Sequence, residues 1–361
     1  MLTTALVFFA ILSILVLIHE LGHYTVARWI GVKVEEFGLG LPPRIFGKKI
    51  GGTVYSLNWL PIGGFVRLAG EDEEDHILKR SHPAKRGETL RKFFWARSKK
   101  ERAAILVAGV FMNILLALGL TAYLLTQGVL EPSGRVRVEK VQPGSPAETI
   151  GLQENDVVTF IGTKPVSVPK DLIDATRAHL GENVTLTIVR DENETKMTVI
   201  PRKDPPAGQG PLGVVITDLT LRTFTWAEIP AEAVRINVLR ARDMFTGIAG
   251  TLWRLVTLKP PTADVAGPIG IARVTGEAVK FGWKAVLEFM SILSLNLAVL
   301  NILPIPALDG GRLAFVFLEK LIGKKLRPAF ERSAHQMGMI ILIALIFLVS
   351  VNDILRLTKG L

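Results

Sequence analysis

Ala5 to Ile18 is a run of fourteen residues without a charge, and it leads straight into His19-Glu20-Leu21-Gly22-His23. Nothing else in the chain restricts the fold so strongly. Ionisable side chains at membrane depth are costly, turn toward a bundle interior or a cavity, and by default mark function. On a helix, positions i and i+4 share a face, so both imidazoles can reach one metal ion, with Glu20 beside them to take a proton from a water. The sequence therefore predicts a hydrolytic metal site surrounded by other helices inside a bilayer.

Composition supports that setting. Mean hydropathy is +0.36 and 49% of residues are hydrophobic although 21% are charged, so the apolar residues must be gathered in blocks. Ala103 to Leu125 has no charge and is long enough to span, since a helix needs about 20 apolar residues. Ala285 to Leu308 is apolar except for Glu288, two serines and two asparagines, and Met337 to Val351 forms a further block. With the first block this gives four transmembrane helices, over residues 1–30, 103–126, 284–311 and 334–356. A signal peptide is a poor alternative for the first, because it lacks a basic n-region and a small-residue cleavage site, and cleavage would discard the HExxH.

The net charge of +10 does not make a nucleic-acid footprint, because of where it lies. Residues 28–102 hold sixteen Lys and Arg against nine Asp and Glu, and 312–332 hold six against two, whereas 131–222 hold eleven against thirteen. Basic loops stay in the cytoplasm. The expected topology is a multi-pass protein of the cell (inner) membrane, with residues 31–102 and 312–333 cytoplasmic. Both termini and the segment 131–283 are then outside, and the metal site lies toward the cytoplasmic side. The chain has no cysteine, so any zinc must be held by His, Asp or Glu.

Between the spans, Val54 to Leu57 and Gly64 to Leu68 read as short strands around Pro61-Ile62-Gly63-Gly64, a β-loop. Its backbone could enter a membrane only under the cover of protein or a water-filled cavity. The run Glu71 to Asp75 reads as a solvated loop, and Phe93, Phe94 and Trp95 as an interfacial anchor. Residues 131–220 read as one compact α+β domain: Val136, Val138 and Val141 alternate as a strand, as do Val184, Leu186 and Ile188, and Asp171 to Leu180 is a helix. The stretch Pro143 to Glu148, with Gly151-Leu152 and Asn155-Asp156-Val157-Val158, resembles a PDZ core, with Asn155 where glycine is usual. Leu212, Gly213 and Val214 read either as a carboxylate-binding loop, with Gly213 freeing backbone N–H groups, or as a plain strand-edge turn. Residues 221–283 form an amphipathic connector, helical over 226–258, whose apolar face suits either a membrane surface or the outer domain, and Asp264 to Gly270 break the helix before the third span.

Two imidazoles do not complete a catalytic zinc site, which has three protein ligands and an open position. Asp309, in Asn301-Ile302-Leu303-Pro304-Ile305-Pro306-Ala307-Leu308-Asp309-Gly310-Gly311, is the candidate for the third. Its prolines and glycines must unwind the end of the third span and could turn a carboxylate inward. Taken alone, Asp309 also reads as a helix-terminating residue at the cytoplasmic face.

HExxH in the first span and NxxPxPxLDGG in the third together resemble the site-2 protease family of intramembrane metalloproteases, in its bacterial RseP-like branch. Gly109-Val110-Phe111-Met112-Asn113 matches the GxxxN of the second span, Pro61-Ile62-Gly63-Gly64-Phe65-Val66 resembles the family's membrane-associated β-loop, and Gly267-Pro268-Ile269-Gly270 matches the motif after the PDZ region. The resemblance implies a zinc-dependent endopeptidase acting on single-span membrane proteins, such as anti-sigma factors and signal-peptide remnants. It implies His19, His23 and Asp309 as zinc ligands, Glu20 as general base, and Asn296 and Asn301 as holders of substrate backbone. Tyr55, Leu57 and Asn58 would line a strand edge near Val54 to Leu60 to which an unwound substrate adds. The family's members with two PDZ domains are only partly matched, because the chain has room for one.

Overall fold

The computed structural model describes residues 2–71, 90–257, 267–324, 326 and 328–359. Most of the acidic run 71–75 and the stretch Asp264 to Ala266 lie outside the described residues. The chain divides into two units, Leu125–Phe224 and the remainder, Met1–Leu124 with Thr225–Leu361.

In the larger unit, helix α1 covers Leu2–Ile30 and is followed by two long strands, β1 (Val34–Ile50) and β2 (Thr53–Leu68). Helix α2 (Lys99–Thr126) comes next in this unit. After the smaller unit the chain re-enters as α5 (Ile229–Val256), α6 (Pro268–Phe281), α7 (Trp283–Ile302), α8 (Asp309–Ile322) and α9 (Pro328–Lys359). Four of these helices, α1, α2, α7 and α9, are long and apolar enough to cross a membrane. At 1.5 Å per residue, the 29 residues of α1 reach about 43 Å, more than the roughly 30 Å of a hydrocarbon core.

The β-loop is larger than two short strands. Residues Glu36 to Leu39 pair with Val54 to Leu57 on one side and with Gly64 to Arg67 on the other, while Arg44 to Ile50 pair with Thr53 to Asn58. Each strand therefore bends and serves twice, giving four segments in the order 64–68, 34–39, 54–57, 44–50. This corrects the expected edge: Val54 to Leu57 lie inside the sheet, paired on both sides. Asn58 is equally committed, its Nδ2 donating to the carbonyls of Leu39 (3.2 Å) and Gly40 (3.1 Å) where β1 bends. Tyr55 shares a 2.6 Å hydroxyl contact with Tyr24 of α1, and Leu57 is exposed.

Two boundaries also move. The third span ends at Ile302, and the segment expected as a cytoplasmic loop is mostly α8, a separate helix that Asp309 begins. The physical reason is Pro304 and Pro306, which supply no N–H to continue α7. The described residues of the connector form two helices, α5 and α6, on either side of the expected break. Helix α6 starts at Pro268, where a missing N–H costs nothing, and Asp353 of α9 accepts the Gly270 N–H at 2.9 Å. In α5, Ile229, Ala233 and Asn237 are buried, one helical turn apart, with Asn237 donating to Thr121 of α2 at 3.0 Å. Trp226, Val234, Val238, Phe245 and Trp253 stay exposed.

Polar contacts join the spans. Thr121 and Ser291 hydroxyls lie 3.0 Å apart, Ser291 donates to the Ala117 carbonyl (3.0 Å), and Ser294 donates to that of Asn113 (2.8 Å), so α7 is pinned along α2. Beyond the other end of α7, Arg102 of α2 and Glu319 of α8 form a buried ion pair.

The smaller unit holds β3 (Val129–Val141), α3 (Pro146–Thr149), β4 (Val157–Ile161), β5 (Lys164–Pro165), α4 (Pro169–Ala178), β6 (Val184–Arg190), β7 (Asn193–Val199) and β8 (Val214–Arg222). Its sheet runs β7-β6-β4-β3-β8, with β5 on β4. Val136, Val138, Val158, Leu172, Leu186 and Ile188 are packed in one apolar core. Asn155 has φ +73°, the left-handed turn for which glycine is usual and asparagine is tolerated. Ser145 caps α3 by accepting the Glu148 N–H (3.2 Å), and Glu148 reaches back to the Gly144 N–H (2.6 Å). In the 211–214 loop, Gly213 donates its N–H to Gly210 (3.0 Å) and its carbonyl accepts from Gln142 (2.8 Å). The Gly213 amide expected to be free for a peptide carboxylate is thus used by the turn itself.

Candidate metal centre

Helical spacing puts His19 and His23 on one face of α1, both nearly buried at 6% and 8% exposure. Helix α2 lies against that face at unusually short range. A Cβ on Gly109 would sit 2.5 Å from His23 Nε2 and 2.8 Å from His19 Nε2, so only glycine fits opposite the two rings. Asp309 arrives from the far end of the sequence. After α7 the chain unwinds over residues 303–308, and a Cβ on Gly310 would meet the Ile302 carbonyl oxygen at 2.5 Å. The LDGG glycines are therefore what lets α8 begin tightly against the end of α7. Ala307, in the left-handed region at φ +82°, donates its N–H to His335 Nδ1 of α9 at 2.9 Å.

Asp309 Oδ2 lies 2.9 Å from His19 Nε2 and 3.1 Å from His23 Nε2, and the two Nε2 atoms are 3.1 Å apart. Among the described residues these three form a cluster with metal-ligating capacity. Two observations test whether a metal suits them. Zinc bond lengths of about 2.0–2.1 Å at a tetrahedral angle put ligand atoms about 3.3 Å apart, close to the spacing here. Moreover, His23 Nδ1 is 2.8 Å from the Ile105 carbonyl, which only accepts. His23 therefore carries its proton on Nδ1 and turns a lone pair toward Asp309 and His19. Lone pairs converging in a buried site call for a cation between them, and two imidazoles with a carboxylate are a donor set that zinc takes.

Glu20 projects beside the cluster, and its Oε2 accepts the Val66 N–H of β2 at 3.0 Å. The sheet segment 64–68 is thus the one whose outer edge faces the site. Asn301 on α7 brings its Nδ2 to 3.5 Å from His19 Nε2. Asn296, half-buried more than a turn earlier, is not among the groups brought within hydrogen-bond distance of the ligands. Sequence reasoning assigned no role to Val66, the Ile105 carbonyl or His335. The first two act through the backbone, which leaves no mark on side-chain identity. For Asn113, described below, the GxxxN spacing was the available signal.

The family profile described as peptidase family M50 matches residues 7–345. Among curated relatives, a provisionally named zinc metalloprotease of Fusobacterium nucleatum is 32% identical, with 98% of this chain and 99% of that protein covered. The zinc metalloproteases RasP of Oceanobacillus iheyensis and Shouchella clausii are each 30% identical to it, again with 98% and 99% covered.

Proposed function

The chain belongs to peptidase family M50, the site-2 protease family, and is a zinc metalloprotease, and we propose that it is an endopeptidase cutting single-span membrane proteins within the bilayer. The observation that carries this reading is the convergence of His19, His23 and Asp309 beside Glu20, on helices able to cross a membrane. Bound zinc supplies a Lewis acid that acidifies water and polarises a peptide carbonyl. Glu20 takes the proton from the attacking water and returns it to the leaving amine. The Val66 N–H steadies one oxygen of that carboxylate and leaves the other to meet the water. Asn301 offers a side-chain N–H beside the ligands, where negative charge develops on the carbonyl oxygen. Asn296 holds substrate backbone further along α7.

A helical substrate hides its carbonyls in i+4 hydrogen bonds, so it must unwind to be cut. The edge at 64–68 is the place for the unwound segment to pair, since the Val66–Glu20 bond sets this edge beside the site; the pairing uses edge groups other than the Val66 N–H. Substrates with Gly or Pro near the cytoplasmic third of their span, where unwinding is cheapest, are cut fastest. The outer domain acts as a filter on what a substrate carries outside the membrane. By the family resemblance, those substrates include anti-sigma factors and signal-peptide remnants, in regulated intramembrane proteolysis. Charge distribution supports cytoplasmic placement of residues 31–102 and 312–333, with both termini and the outer domain outside.

The test is cleavage of a panel of single-span substrates by purified protein, with and without a chelator. Glu20→Gln is expected to retain zinc and lose turnover; equal metal loss in Glu20→Gln and Asp309→Ala would instead make Glu20 a ligand. A Leu-rich span cut as fast as a Gly-containing one would remove the unwinding step. A reporter near Lys164 reading cytoplasm would overturn the topology.

A further inference from the structure

We infer that Asn113 is a positioning residue for the metal centre, setting which nitrogen of His19 carries the proton. The inference rests on the ligand set proposed above. Asn113 is fully buried on α2, one turn beyond Gly109, and its carbonyl is anchored by the Ser294 hydroxyl at 2.8 Å. Its Nδ2 lies 3.3 Å from His19 Nδ1, on the side of the ring away from Asp309. Its Oδ1 is buried with no hydrogen-bond partner.

The two ligand imidazoles are therefore supported differently. Behind His23 stands the Ile105 carbonyl, which can only accept, so neutral His23 turns a lone pair toward the metal site. Behind His19 stands a carboxamide, which can donate or accept. With Nδ2 facing the ring, His19 Nδ1 accepts, its proton sits on Nε2, and that N–H meets Asp309 Oδ2 at 2.9 Å. Turning the amide over exchanges its oxygen and nitrogen in nearly the same space. Oδ1 then accepts from His19 Nδ1–H, and Nε2 presents the lone pair that a metal requires. The neutral ring keeps one proton throughout: solvent takes it from Nε2 and supplies one at Nδ1. No partner holds Oδ1, so the turn breaks no hydrogen bond of that oxygen and exchanges only the contact with His19.

The experiment measures zinc affinity of the purified full-length protein by competition with a chelator of known affinity. Asn113→Leu removes the acceptor at similar volume and is expected to weaken zinc about 10–100-fold, the usual loss when a metal ligand's hydrogen-bond partner is removed. Asn113→Asp, which keeps an acceptor, is expected to bind zinc at least as tightly as the parent. Parent-like zinc binding by Asn113→Leu, or equal weakening by the Leu and Asp variants, overturns the inference. Should Asn113→Leu not fold, ¹⁵N-histidine spectra of the metal-free parent and Asn113→Asp decide: a proton that moves from His19 Nε2 to Nδ1 in Asn113→Asp supports the role, and the same tautomer in both refutes it. A His19→Ala variant with undiminished zinc would remove the ligand set itself, a failure distinct from any behaviour of Asn113.

Discussion

The two units place their apolar side chains differently. In Leu125–Phe224 these gather in one core, with Val136, Val138, Leu186 and Ile188 shut away from solvent between a sheet and short helices, although Ser145 and Asp156 are buried too. In the helical unit the apolar side chains point outward as well as inward: Phe347, Ile340 and Leu6 are exposed, while His19, His23, Asn113, Ser291 and Ser294 are buried. Water drives apolar surface inward, so the first unit is held by burial. Lipid is as apolar as leucine and offers no such drive, so the second depends on close helix contact and on hydrogen bonds between helices. Polar groups gathered in the interior of the second unit are then available for chemistry, whereas the first has none of the metal-ligating clusters found among the described residues.

The comparison breaks most sharply at Asp309. Asp309→Ala should bring bound zinc close to zero and abolish cleavage, while the protein still inserts; metal analysis showing full occupancy would remove Asp309 as a ligand. In the other unit, Leu186→Ala should destabilise the sheet domain by about 2–5 kcal/mol, the usual range for such a truncation in a core. Zinc affinity should stay as in the parent. Hydrogen exchange confined to residues of that domain would report the first effect, and chelator competition the second. Coupled loss of both would show that the units do not behave separately.

Close contact is tested by Gly109→Ala. The added methyl meets both ligand rings, and overpacking of this kind costs about 1–3 kcal/mol. Because the strain falls on the ligands, zinc binding should weaken about tenfold to hundredfold, each 1.4 kcal/mol being a factor of ten. Unchanged affinity would mean that α2 can move away without disturbing the site.

The smallest effect belongs to the water-facing unit. Backbone N–H groups of Ser167 and Val168, each 3.0 Å from Asp171 Oδ2, hold that carboxyl below its ordinary range. A depressed folded-state value means the stabilisation is fully present above the unfolded value of about 3.9 and is lost as pH falls through the folded one. Asp171→Asn should therefore lower the domain's melting temperature slightly at neutral pH, and the gap to the parent should close below about pH 4. A gap that persists at low pH would show that charge plays no part in this cap.

What could be read along the chain were features that repeat over a few residues. Charge-free blocks marked the four candidate spans, and the i, i+4 spacing put His19 and His23 on one face. Asn155 carried its left-handed turn in its own identity. The smaller unit's strands showed in their alternation because one face of each is wet. Other features were decided only when distant segments met. Asp309 reaches His19 across 290 positions, and no local pattern distinguishes it from a residue that merely ends a helix. The β-loop misled for a related reason: Val54 to Leu57 have the composition of an edge strand, but which strand takes the edge depends on register, and register is a relation between strands. The Val66 N–H on Glu20 and the Ile105 carbonyl on His23 belong to the backbone, which every residue shares. A single sequence shows which groups a helix turns to one side; only the packed structure decides what stands opposite them.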